Sequence, residues 1–227
     1  MNALLASFLA ADGGALASVI RSERPPHGQV LSRRSEPATE VWFPVSGVIA
    51  LSITDRQGRT VQTGMVGLEG CVGLETVYTQ TLALADATVQ IPGEMLVIPA
   101  VYLWSALQSK PTMQAALLQF LFDLSAQSLQ TIACNRLHSL DARCCRWLLM
   151  MQDRTGADEL PLTQEALATI LGSGRPRING LLATLELDGL VRRYRGRIRL
   201  SSRSRLERRA CECYSALSHA LKVPTGV

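Results

Sequence analysis

From Met113 to Leu140 the chain contains neither glycine nor proline, although both residues punctuate it on either side. A run of that length without a breaker reads as one helix of roughly seven or more turns at 3.6 residues each. Leu117, Leu118, Leu121, Leu124, Leu129 and Ile132 spread over a stripe wider than one face packed on its own domain requires. The surplus predicts a second buried stripe, covered by a second copy of the chain. A helix packed wholly within its own chain is the alternative. Either way, the helix separates two parts of different texture.

Upstream, residues 3–22 read as two short helices around Gly13-Gly14. From Gln29 to Ala100, short β-type runs alternate with turn residues such as Ser46-Gly47, Asp55–Gly58 and Pro92-Gly93. The runs are Glu40–Val45, Gly47–Thr54, Thr60–Thr63, Ala87–Ile91 and Glu94–Ile98. Their near-regular spacing predicts a small β-sandwich or barrel. Downstream, a second helix at Asp141–Gln152 precedes a polar loop, Asp153–Glu159.

Leu162–Gly172 then reads as a compact amphipathic helix, with Thr163 as N-cap and Gly172 as stop. After Ser173-Gly174 a further helix begins at Arg175, with Pro176 in its first turn, where a missing N–H costs nothing. Ile178, Leu181, Leu182 and Leu185 stand at i, i+3, i+4, i+7 and bury one side. Arg175, Arg177, Asn179, Ala183 and Thr184 form the other side. Leu190-Val191 and Gly196–Leu200 can pair as a hairpin over an arginine-laden turn. Two helices, a tight turn and a basic hairpin make a winged helix-turn-helix. In that motif the second helix enters the major groove of double-stranded DNA, while the first helix and the wing hold phosphates. The candidate DNA contacts are Thr163, Gln164, Arg175, Arg177, Asn179, Arg195 and Arg197.

Charge follows the same division. Residues 1–140 carry 8 Lys or Arg against 10 Asp or Glu. Residues 141–227 carry 15 against 9, and all but one of those cations are arginine. Arg192–Arg209 alone holds nine arginines and a single acid, Glu207. Arginine suits bidentate phosphate contact, which favours nucleic acid over a merely solvated face.

Apolar residues at 47% and charged residues at 19% exclude a mostly disordered, collagen-like or purely coiled-coil chain. No stretch reaches the ~18 uninterrupted apolar residues of a membrane span. The apolar start, Met1–Ala11, lacks a basic n-region, so a soluble cytoplasmic protein with no membrane partner is expected.

Cys71, Cys134, Cys144, Cys145, Cys211 and Cys213 are expected to be reduced and buried. Cys144-Cys145 and Cys211-x-Cys213 do not match the C-x-x-C pairs of zinc or iron–sulfur sites, so no metal and no other cofactor is expected. His27, His138 and His219 are isolated and read as surface or satisfied side chains. Leu206–Leu221 is expected to form a terminal helix on the winged helix, with Cys211 and Cys213 as packing residues. No nucleophile–base pairing or phosphate-cradling glycine motif supports an enzyme. A thiol switch centred on Cys144-Cys145 is an open alternative.

The segment LTQEALATILGSGRPRINGLLATLELDGLVRRYRGRIRL, Leu162–Leu200, resembles the bacterial Crp/Fnr transcription regulators, and the resemblance covers nearly the whole chain. It implies an α+β fold with an N-terminal double-stranded β-roll, a cupin-like jelly roll, as sensor domain over residues 1–110. A central dimerisation helix would span residues 111–140, and a C-terminal winged helix-turn-helix DNA-binding domain residues 141–227, with the hinge near Leu140-Asp141. It also implies a homodimer on a near-palindromic operator, with half-sites about one helical turn (~34 Å) apart, and RNA polymerase as partner.

By this resemblance Arg175 falls on a family arginine that contacts the operator. The family's following glutamate, and its arginine four residues later, are replaced by Pro176 and Gly180. Arg177 and Asn179 are therefore expected to read bases, arginine favouring guanine and asparagine adenine. Arg192, Arg193, Arg195, Arg197 and Arg199 are expected on phosphates.

Cyclic-nucleotide-binding members carry a phosphate-binding cassette with a glycine and glutamate near its start and an arginine beside a small hydroxyl residue near its end. Gly70-Cys71-Val72-Gly73 falls at the first place, and Ala85-Asp86 at the second. No Lys or Arg occurs from Thr60 to Ser109. The cassette is thus expected to be degenerate and not to be governed by cyclic AMP, which leaves the effector unassigned. Gating by a cyclic mono- or dinucleotide at another site is the alternative.

Overall fold

A computed structural model describes residues 1–216. The chain begins with α1 (Ala3–Asp12), capped by Asn2. The Asn2 side chain is fully buried and accepts the Leu5 N–H at 3.0 Å. Its amide donates to the carbonyls of Pro44 at 2.9 Å and Gly70 at 2.7 Å, fastening the helix to the strands beneath it. Phe8 of α1 meets Phe43 edge-on, with ring centroids 6.2 Å apart. Beyond Gly13-Gly14 the second expected helix is only a 3₁₀ turn, Ala15–Val19.

The β-rich part contains β1 (Arg21–Glu23), β2 (Val30–Ser32), β3 (Glu40–Pro44), β4 (Val48–Thr54), β5 (Thr60–Val66), α2 (Leu74–Thr79), β6 (Asp86–Ile91), β7 (Met95–Pro99) and α3 (Ala100–Ser109). All five strands expected from alternation and turn residues are present. β1 and β2, three residues each, are too short to leave a pattern in the sequence.

Two sheets form, ordered β1-β7-β3 and β2-β6-β4-β5. β7 runs antiparallel to β1 and β3, and β6 antiparallel to β2 and β4. Both sheets feed one core, in which Val41, Phe43 and Val97 meet Ile49, Val66 and Val89. Leu103 and Leu107 of α3 join it, as do Met113, Leu117 and Phe120 of the long helix α4 (Pro111–Leu137).

α4 ends before the expected Leu140. Ser139 turns to extended backbone and caps the next helix, α5 (Leu140–Thr155), by accepting the Ala142 N–H. The break between the two helices therefore lies at His138-Ser139, just ahead of the hinge expected near Leu140-Asp141. Among the described residues, no helix is long and apolar enough to cross a membrane.

The chain divides into two compact units, one of Met1–Ile53 with Gly64–Ala126, the other of Thr54–Thr63 with the residues from Gln127 onward. The second unit holds β8 (Glu159–Leu160), α6 (Gln164–Leu171), α7 (Arg175–Leu187), β9 (Val191–Tyr194), β10 (Arg197–Leu200) and α8 (Arg203–Arg209). The strand order β8-β10-β9 makes the hairpin a three-stranded sheet, so Glu159, expected in a loop, lies in a strand.

Cys144, Cys145, Leu148 and Leu149 of α5 are fully buried. Arg209 of α8 pairs with Asp141 at 2.7 Å and with Asp188, while Arg203 holds Asp153 at 2.8 Å. Part of the arginine run therefore serves to fasten α8. That helix stops at Ala210, whose ψ of 154° is extended, so Leu206–Leu221 is not one continuous helix. His219 and the end of that segment lie outside the described residues.

Candidate nucleic-acid interface

The helix-turn-helix is shaped by its caps. Thr163 Oγ1 accepts the Ala166 N–H at 3.1 Å and starts α6. Gly172, at φ +61°, ends it in the left-handed region that favours glycine, and the Ser173 N–H closes on the Ala168 carbonyl at 2.9 Å. Two residues later α7 sets out, with Pro176 in its first turn. Ile178, Leu182 and Leu185 bury its inner side, while Arg175, Arg177, Asn179 and Gly180 are exposed. A Cβ built on Gly180 would meet nothing within 4 Å, so the outer surface of α7 is bare there.

The wing has a defined register: Leu200 opposite Val191, Arg199 opposite Arg192, Ile198 opposite Arg193, and Arg197 opposite Tyr194. Alternation then places Arg192, Tyr194, Arg197 and Arg199 on one face and Val191, Arg193, Ile198 and Leu200 on the other. Arg195 and Gly196 form the tip.

Arg193, expected on phosphate, also braces the protein. Its N–H and Nε donate to the Glu186 carboxylate at 2.9 and 2.7 Å, and its Nη1 donates to Asn179 Oδ1 at 3.1 Å. Those donors, the backbone N–H first, hold the Glu186 carboxyl below the usual range. Arg197 pairs with Glu159 at 2.6 Å and lies 5.8 Å from the Tyr194 ring centroid. The two acids that steady the wing, Glu159 and Glu186, carry no sequence signal of that role because each lies in a different element from its partner.

Five of the seven candidates, Thr163, Gln164, Arg175, Arg195 and Arg197, line one open concavity of about 370 Å³, together with Arg193. Arg177 and Asn179 lie outside its lining, further along the exposed side of α7. The result is a cationic hollow between a helix start and a hairpin. Such a surface matches a sugar–phosphate strand running beside a groove-inserted helix.

In the other unit, the cassette positions are built differently from an anion cradle. Cys71 is buried, and desolvation, assisted by the Glu75 charge, pushes its thiol well up. Burial likewise raises the Glu75 carboxyl. Gly73, at φ +94°, caps α2, and the carbonyl of Glu40 lies 2.5 Å from where a Cβ would stand. Gly70 is covered by Phe120, whose ring would come within 2.0 Å of a Cβ there. At the second place, Asp86 accepts the backbone N–H of Arg34 at 2.9 Å, and Ala85 offers no polar side chain.

Comparison with known proteins assigns both parts. The cyclic nucleotide-binding domain matches residues 23–110, and the Crp-like helix-turn-helix domain matches residues 142–209, together well over half of the chain. A CRP-like cAMP-activated global transcriptional regulator of Mycobacterium tuberculosis is 22% identical over 213 residues, covering 89% of this chain and 95% of that protein. The global nitrogen regulator of Synechococcus elongatus is 22% identical over 206 residues, covering 87% and 92%. Among solved structures, FixK2 from Bradyrhizobium japonicum superposes with a TM-score of 0.73 at 17% identity, over 85% of this chain and 98% of that one.

The relatives matched are transcription regulators rather than enzymes. With a cyclic nucleotide-binding domain ahead of its long helix and a Crp-like helix-turn-helix behind it, this chain belongs to the Crp/Fnr family of transcription regulators.

Proposed function

We propose that this regulator acts as a cytoplasmic homodimer on a near-palindromic operator, and that cyclic AMP does not control it. Residues 1–110 serve as sensor domain, 111–140 as dimerisation helix and 141–227 as DNA-binding domain. RNA polymerase is its protein partner at promoters.

The observation that carries this reading is the convergence of Thr163, Gln164, Arg175, Arg195 and Arg197 on one hollow at the start of α7. Arg175 and Arg195 position the protein on phosphate, and Arg177 and Asn179 read bases. Two copies joined along α4 would present two such surfaces ~34 Å apart.

Independence from cyclic AMP follows from the cassette, although one matched relative is described as cAMP-activated. A cyclic phosphate at this cassette would find a buried thiol in place of glutamate and no cationic side chain from Thr60 to Ser109. The charge-assisted share of its binding would be missing. Nor do Cys144 and Cys145 suit a thiol switch. Both are fully buried, and desolvation pushes Cys144 well up and Cys145 up to about 12.

The test is selection of random duplex DNA by the ligand-free protein, followed by sequencing. A two-fold motif is expected, and its base preferences should change in Arg177→Ala. Arg195→Ala should weaken all sequences alike and flatten the salt dependence by about one unit of slope. Salt-sensitive binding without any enriched motif would overturn the reading that the ligand-free dimer recognises an operator.

A further inference from the structure

Sequence spacing alone predicts no metal site, but folding brings together four side chains that lie apart in the chain. Cys134 lies in the last turn of α4, His138 directly after it, and Cys211 and Cys213 follow α8. One donor atom from each lies within 4.8 Å of all the others. Cys134 Sγ and Cys211 Sγ are 3.5 Å apart, as are Cys213 Sγ and His138 Nδ1. A tetrahedral ion with Zn–S bonds of ~2.3 Å and a Zn–N bond of ~2.0 Å separates its ligand atoms by about 3.5–3.8 Å. Two of the donor pairs therefore already stand at the spacing of a tetrahedral site, the others lie within 4.8 Å, and all six cysteines are free thiols.

The surroundings support the same reading. His138 turns Nδ1 to the cluster while Nε2 meets the Glu212 carboxylate at 3.0 Å, the carboxylate–histidine arrangement that orients a metal-bound imidazole. Gln130 Nε2 donates to Cys213 Sγ at 2.9 Å, a hydrogen bond suited to a thiolate. Arg146 is buried, and its Nε and Nη1 have no hydrogen-bond partner among the described residues. Its charge acts on Cys134 and Cys211. Three thiolates around a divalent ion leave one net negative charge, which this guanidinium balances.

We propose that Cys134, His138, Cys211 and Cys213 bind a structural zinc ion. Three soft sulfur donors and an imidazole exclude magnesium and calcium. Four protein ligands leave no open position for catalysis. The ion ties the segment after α8 to the end of α4, at the point where the chain turns into α5. The spacing signal, Cys134-x-x-x-His138 with Cys211-x-Cys213, has two halves far apart in sequence, and only the fold joins them.

The experiment uses the full chain, purified under reducing conditions with any histidine tag removed. Elemental analysis should find about one zinc per chain, and Co²⁺ added to chelator-stripped protein should give thiolate-to-cobalt charge transfer with tetrahedral d–d bands. Cys211→Ser and Cys213→Ser should lose the metal, whereas Cys144→Ser, equally buried but outside the cluster, should keep it. Glu212→Gln, on an exposed residue that leaves the core intact, should weaken zinc affinity by roughly 10–100-fold. Absence of both zinc and the cobalt–thiolate spectrum would overturn the proposal. So would metal retained by Cys211→Ser and Cys213→Ser, or a Cys134–Cys211 disulfide found in place of the ion.

Discussion

Glu186 helps to shape the proposed DNA surface, because it decides where Arg193 stands and, through Arg193, where Asn179 is held. Its carboxylate takes both the N–H and the guanidinium of Arg193, and through Arg193 it reaches Asn179. Glu186→Gln should leave α7 folded, cost the domain under about 1 kcal/mol as a solvent-screened pair, and loosen the wing against the recognition helix. The readout is a lower operator affinity with a small change in thermal midpoint. Because the folded carboxyl titrates below its unfolded value, the stabilisation is complete above the ordinary carboxylate range. It is lost as pH falls through the lowered folded value. Acid titration of the wild type should show that loss, and Glu186→Gln should lack it. Arginine count alone conceals this division of labour: Arg193, Arg197, Arg203 and Arg209 are engaged with acids of their own chain.

Among the elements, α4 has one apolar side buried and another exposed. Met113, Leu117 and Phe120 enter the β-roll core. Leu118, Phe122, Leu129 and Ile132 remain exposed, at a spacing close to the 3.5-residue period of a coiled-coil seam. Leu129→Arg should remove about 1.5 kcal/mol of burial from each copy, weakening the dimer on the order of 100-fold. Light scattering over a concentration series measures that shift, and operator binding should fall with it. This helix was legible in the sequence because a breaker-free run and an apolar excess are both local. The helix-turn-helix was legible for the same reason, its caps and its i, i+3, i+4, i+7 residues being neighbours. β8, the Arg193 brace and the cysteine–histidine cluster were not. β8 and the cluster depend on partners dozens of residues apart, and the brace joins residues of different elements, so no local pattern records which side chains will meet.

At the scale of the whole molecule, a cyclic nucleotide-binding domain is present, and the function proposed above has its cassette hold no cyclic AMP. Saturating cyclic AMP should leave the melting temperature and operator affinity unmoved. A ligand at a hundred times its dissociation constant would add about 2.7 kcal/mol of stability, an effect a thermal shift would not miss. Phe120 has a consequence of a different kind. Its ring occupies the space above Gly70, and two residues further along the same helix Phe122 stands 71% exposed on the opposite side. Any molecule that settles over Gly70 must displace that ring, and so work against the turn that carries the seam. The two equilibria are then reciprocal: whatever factor an occupant imposes on self-association, self-association imposes on the occupant. The affinity of any such occupant would therefore be a function of protein concentration.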